Sequence, residues 1–114
     1  MLFRSSVMTT LVSCELDRIA TLRQLLEHDP KSSFARYGLA MELIKSGQLA
    51  DAVVEFRAVL AHDPTYASAY YHGGQTLEKL DDIEGAKEMY RAGLSNVRDP
   101  HALGEMRAAL DILG

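Results

Sequence analysis

The feature that most constrains this chain is a repeat of itself at an offset of 34 residues. Leu22-Arg23, Phe56-Arg57 and Tyr90-Arg91 are spaced at that interval, as are Leu26, Leu60 and Leu94. His28-Asp29-Pro30 returns as His62-Asp63-Pro64, and Ala40/Gly74, Leu43/Leu77, Lys45/Lys79, Ala52/Ala86 and Ala58/Ala92 match at the same offset. Internal periods of 20–50 residues are the mark of stacked repeat architectures, in which each unit buries its apolar face only against its neighbours.

Within each period the apolar spacing is helical. Leu39, Ala40 and Leu43 mark one face of a first helix, which Ser46-Gly47 ends at a residue suited to a left-handed turn. Leu49, Ala52, Val53, Phe56, Val59 and Leu60 then follow the i, i+3, i+4, i+7 pattern of a second helix, and Pro64 stops it. The next unit repeats the plan with Tyr70, Gly73, Gly74 and Leu77, a turn at Asp81-Asp82, and Ile83, Ala86, Met89, Tyr90 and Leu94. Glycine inside a helix costs about 0.5–1 kcal/mol relative to alanine, so Gly73-Gly74 demands a packing reason.

These residues resemble the tetratricopeptide repeat family, whose pattern sets large and small residues at fixed places in helix A and Ala, a large aromatic and Pro in helix B. Residues 33–66 supply Leu39, Ala40, Ala52, Phe56 and Pro64; residues 67–100 supply Tyr70, Gly74, Ala86 and Tyr90. Arg36 stands where the first aromatic belongs, Leu43 and Leu77 replace the second, and Asp99-Pro100 arrives two residues late. The resemblance implies an all-α solenoid of antiparallel helix pairs in a right-handed superhelix, with about six helices. The expected organisation is a flexible segment at 1–12 followed by one domain over 13–114. That domain comprises a leading helix at 15–28, repeats at 33–66 and 67–100, and a capping helix at 101–113 with Leu103, Met106, Leu110 and Leu113 on one stripe. The leading helix has the character of a helix B whose partner, in residues 1–12, is not recognisable; an apolar edge is expected around Leu16, Ile19 and Leu22.

In this family the concave surface is lined by helix A and receives an extended or helical peptide. The matching positions here are Phe34, Tyr37, Met41, Ile44 and Lys45, then Ser68, Tyr71, Gln75, Glu78 and Lys79. One half is apolar and aromatic, the other polar; Tyr37 and Tyr71, one repeat apart, are the leading pair. The competing reading packs Phe34, Met41 and Ile44 inward against the N-terminal helix or residues 1–12. Members that grip a C-terminal carboxylate do so with Lys and Asn, where this chain has Tyr37 and Met41, so that clamp is missing. Lys45 and Lys79 read either as contacts for an acidic peptide or as solvated helix ends beside the negative pole of the dipole.

Other chemistry is poorly supported. His28 and His62 fall at equivalent helix ends a repeat apart, which suits helix capping better than a shared metal. Asp81-Asp82-Ile83-Glu84 lacks the spaced oxygens and glycine of a calcium loop and reads as a helix N-terminus. His72-Gly73-Gly74 lies inside a helix, where its amides are already bonded, and no triad order, phosphate loop or paired cysteines appears. No catalysis and no cofactor are expected. A net charge of −4 gives no general attraction for nucleic acid, and no apolar run approaches the roughly 20 residues of a membrane span. The single Cys14 suits a reducing compartment, giving a cytoplasmic expectation; Leu11-Val12-Ser13-Cys14 offers the rival reading of a lipoprotein anchored through Cys14. Whether residues before Met8 are a leader, a tail or an expression start is open. The expected function is a protein- or peptide-binding scaffold of the adaptor kind; the alternative is self-association or a structural place in a larger assembly, including a weak homo-oligomer.

Overall fold

A computed structural model describes residues 16–114, and over them the chain forms six helices and no strand. Helix α1 covers 16–28, followed by α2 (Ser33–Lys45), α3 (Leu49–His62), α4 (Ala67–Lys79), α5 (Ile83–Asn96) and α6 (Pro100–Leu113). The expected segment at 1–12, the recognition box ending at Cys14 and the start of the leading helix at residue 15 lie outside the described residues.

From α2 onward each helix packs on the next in sequence, and α4 also touches α6 directly. The A helices of the two repeats are thus α2 and α4, the B helices are α3 and α5, and α6 takes the place of a further A helix. The wedge between neighbours is Phe56 in one unit and Tyr90 in the next, both without exposed surface. They close on small residues: Ala40, Ala52 and Ala86 are equally buried, and a β-carbon added to Gly74 would lie 2.6 Å from Tyr90 Cζ. That close approach is the packing reason for glycine in mid-helix.

Both A helices end in the same turn. Gly47 has φ +81° and Asp81, its counterpart 34 residues on, has φ +62°. Gln48 N–H donates to Leu43 O (2.8 Å) and Gly47 N–H to Ile44 O (3.0 Å); Asp82 and Asp81 do the same to Leu77 and Glu78 at 2.9 Å each. These paired bonds close a Schellman motif and satisfy carbonyls that the helix itself leaves open. At the next helix start Asp82 accepts from Gly85 N–H (3.0 Å), and Asp99 caps α6 through Ala102 N–H (2.9 Å) with Pro100 in the first turn. The acidic turn at Asp81-Asp82 is therefore a helix stop joined to a helix start.

Arg36 explains itself by comparison with its counterpart Tyr70. Tyr70 Oη donates to Pro64 O at 2.7 Å; Arg36 Nη2 donates to Pro30 O, also six residues back, at 3.0 Å. The guanidinium's other arm meets Glu55 Oε2 at 2.9 Å, and residue 89, which corresponds to Glu55, is a buried methionine. Tyr70 and Met89 share one inter-helix cavity, and Arg36 and Glu55 share its equivalent one repeat earlier. Five of the six residues lining that earlier cavity map onto the later one by the 34-residue shift: Arg23/Arg57, Leu26/Leu60, Glu27/Ala61, Arg36/Tyr70 and Glu55/Met89. Helix α1 therefore occupies the place of a B helix.

Of the apolar edge expected around Leu16, Ile19 and Leu22, Leu16 is exposed as expected, and this placement corrects the other two. Ile19 is buried in the first core cluster and Leu22 lies against it and against Gly38 of α2, because the B-helix position turns that face inward; Leu16 and Leu25 are the exposed pair. At the other end Met106 is fully buried, with Leu103, Leu110 and Leu113 packed on the second cluster, while Ile112 faces outward.

The two left-handed turn residues give a stability test. An L-residue in that conformation is strained, and Asp tolerates it only partly, so Asp81→Gly should stabilise by about 0.5 kcal/mol whereas Gly47→Ala should cost about 1 kcal/mol. Urea unfolding midpoints measure both. Opposite signs support the matched turns; a destabilised Asp81→Gly contradicts them.

Candidate functional site

Helix α4 packs on α6, and side chains of α2 reach those of α4, so residues at the same place in each repeat face one surface. Tyr37 of α2 is half-buried there, its ring 5.2 Å from Tyr66, 5.9 Å from Phe56 and 6.1 Å from His72. Tyr71 of α4 lies 5.5 Å from His72, edge-on at 74°, and 6.4 Å from Tyr90. A continuous run of rings results, Tyr66–Tyr37–His72–Tyr71–Tyr90, in which His72 joins the two tyrosines that the repeat pairs. Tilted and edge-on arrangements suit the aromatic quadrupoles and contribute about 0.5–1.5 kcal/mol per pair beyond area burial.

The remaining positions divide by environment. Phe34, at the start of α2, is 81% exposed. Met41 and Ile44 are half-buried against the first core cluster, which includes Ile19 and Leu26 of α1. Lys45 and Lys79 are exposed in the last turns of α2 and α4, and Lys45 Nζ sits 3.5 Å from Glu42. Gln75 is half-buried beside His72. Glu78 is turned into the α4–α5 seam, where its carboxylate accepts a hydrogen bond from Tyr90 Oη. Burial first, and then that carboxylate, push the Tyr90 phenol well above its ordinary value, so the bond keeps its proton on the tyrosine. In the preceding repeat the corresponding pair is Phe56 with Ile44, apolar on both sides.

Four contributors escaped the sequence reading. Tyr66 lies in the loop before α4, outside the A-helix pattern. His72 was read only with the glycines that follow it. Ala102 and Glu105 of α6 continue the rows Phe34/Ser68 and Tyr37/Tyr71 at the same 34-residue interval, and carrying the repeat into the capping helix would have found both. With Ala67, Ser68, Tyr71 and His72 they line a notch of about 220 Å³ between α4 and α6. His28 and His62 are exposed at their helix ends, and among the described residues no three His, Cys, Asp or Glu side chains gather into a metal-binding group.

The family model for the tetratricopeptide repeat matches residues 43–110, more than half of the chain. The chain belongs to the tetratricopeptide repeat family. Among solved structures it is similar to YrrB, a tetratricopeptide repeat protein with an unusual peptide-binding site (TM-score 0.72, 27% identity); 91% of this chain is covered, and it spans 52% of that one. A tetratricopeptide repeat domain protein from Salinibacter ruber superposes with a TM-score of 0.67 at 31% identity, covering 75% of this chain and 89% of that one. PcrH, solved with the chaperone-binding region of PopD, shares the fold at 14% identity (TM-score 0.77, 98% of this chain and 87% of that one). No curated protein matches the chain. Tetratricopeptide repeat proteins generally mediate protein–protein interactions. Among the described residues no helix is long and apolar enough to cross a membrane.

In this repeat array His72 has a measurable signature. Its burial among rings lowers its pKa from the ordinary 6.5, more than the neighbouring Gln75 and Glu105 raise it. The unfolded chain therefore binds the proton more readily than the folded one, and stability at this site is lost as pH falls through that value. Urea midpoints taken at about pH 7.5 and about pH 5.5 should fall further in the wild type than in His72→Gln. Equal falls in both proteins would contradict the buried neutral imidazole.

Proposed function

We propose that this chain is a peptide-binding module whose ligand lies across the A helices, on the surface formed by Phe34, Tyr37, Met41, Ile44 and Lys45 of α2 and Tyr71, Gln75 and Lys79 of α4, with Glu78 withdrawn from it into the α4–α5 seam. The observation that carries the reading is the aromatic run joined through His72, with Phe34 standing free at its edge. Rings held by their neighbours lose little freedom on binding, so they offer contact area at small entropic cost. The peptide-binding site of YrrB, which shares 27% of residues over about half of that protein's length, supports the same kind of ligand here.

Phe34 and Tyr71 are the cleaner probes. Tyr37 packs on three rings, so removing it rearranges its neighbours as well as the surface. Peptides selected from a random library on the immobilised wild type, then titrated calorimetrically, should bind Phe34→Ala and Tyr71→Ala about tenfold or more weakly. Arg91→Ala, exposed on α5, should bind as the wild type does. Thermal melts of each variant separate lost binding from lost folding. Wild-type affinity in both groove variants would contradict the reading.

A further inference from the structure

We propose that the notch between α4 and α6 receives a basic side chain, Lys or Arg, of the bound peptide; this rests on the peptide-groove reading and adds the chemistry of one anchor. Tyr71 and His72 line it with rings, Ala67 and Ala102 are small, and Ser68 and Glu105 supply polar atoms. Glu105 carries the only full charge lining the notch. Its Oε1 lies 3.1 Å from Nε2 of His101, itself exposed on the solvent side, so the carboxylate is not sequestered by a buried cation. A cation seated there meets the Glu105 carboxylate beside the aromatic Tyr71, a combination that favours guanidinium or ammonium over neutral groups. The first turn of α4 opposes this, because Tyr66 provides no side-chain cap and the helix end carries a partial positive charge. That end amounts to about half a charge, set against the whole charge of Glu105.

The same position in three successive A helices reads Tyr37, Tyr71, Glu105, so the groove runs from apolar at α2 to acidic at α6. Packed helices are about 8–10 Å apart and an extended chain rises about 3.3 Å per residue, so the two ends are separated by about six peptide residues. The inferred ligand is an extended segment with an apolar or aromatic residue over Phe34 and a Lys or Arg roughly six residues away.

The test pans one random dodecapeptide phage library against wild type, Glu105→Gln, Glu105→Lys and Phe34→Ala. Wild type should enrich Lys or Arg at one position about six from an apolar residue. Glu105→Gln should lose that enrichment while keeping the apolar anchor, and Glu105→Lys should replace it with Asp or Glu. Against a synthetic peptide carrying the selected sequence, Glu105→Gln should weaken binding about three- to tenfold, and should have no effect once the peptide's basic residue is changed to Ala. Equal Lys and Arg enrichment in wild type and Glu105→Gln overturns the inference. So does enrichment of Asp or Glu by the wild type, which would assign the notch to the α4 amides. Selected peptides that need Phe34 but show no basic preference overturn this inference alone. Peptides indifferent to Phe34→Ala, or no selection at all, overturn the groove reading with it.

Discussion

The close approach of helices at Ala40, Ala52, Gly74 and Ala86 governs the rest of the molecule. Those residues carry a methyl group or less, and they let Phe56 and Tyr90 sit fully buried between helices, as Gly74 admits the Tyr90 ring across the α4–α5 seam. A larger residue at any of them would part the pairs and forfeit dispersion contacts along the seam. The same packing recurs in each unit, so residues 34 apart fall in matching places on α2, α4 and α6. The alignment of Tyr37, Tyr71 and Glu105 is thus a consequence of core packing several residues away.

Differences between the repeats obey a simple rule of polar satisfaction. Where one unit has Phe56 and Ile44, the next has Tyr90 donating to Glu78; where one has Tyr70 and Met89, the other has Arg36 paired with Glu55. A polar group enters the seam together with its partner, because a buried donor or acceptor left alone costs about 1–3 kcal/mol. Arg36 shows the limit of the device: its Nε is buried without a hydrogen-bond partner, although both of its terminal nitrogens are engaged. The arginine keeps the bond to the preceding proline carbonyl that the tyrosine makes in its own repeat. The apparent departure from the family pattern preserves the contact and changes the chemistry that makes it.

Much of this was legible from the chain. The 34-residue offset located the helices and Gly47 announced the turn that Asp81 shares; Asp99-Pro100, read as the late exit of the second repeat, is instead the capped start of the last helix. The proposed groove was legible only where it is periodic. Tyr37 and Tyr71 followed from the repeat, and Glu105 would have followed had the count been carried into α6. Tyr66 and His72 could not be found that way, since their part depends on ring orientations across α2, α4 and a loop. The diversion of Glu78 into the helix seam was equally hidden, because it needs the Tyr90 hydroxyl to be seen at the same time. Sequence spacing finds which residues share a face, while side-chain pairing decides which of them that face keeps.

The central claim is that aligned A helices form one recognition surface. It is tested most directly by following backbone amide shifts of the isotopically labelled protein as a selected peptide is added. The account predicts that the largest changes fall on α2, α4 and α6, around Phe34, Tyr71, His72 and Glu105, while α3 and α5 near Val54 and Arg91 stay quiet. Changes concentrated on α3 and α5, with α2, α4 and α6 undisturbed, would contradict it.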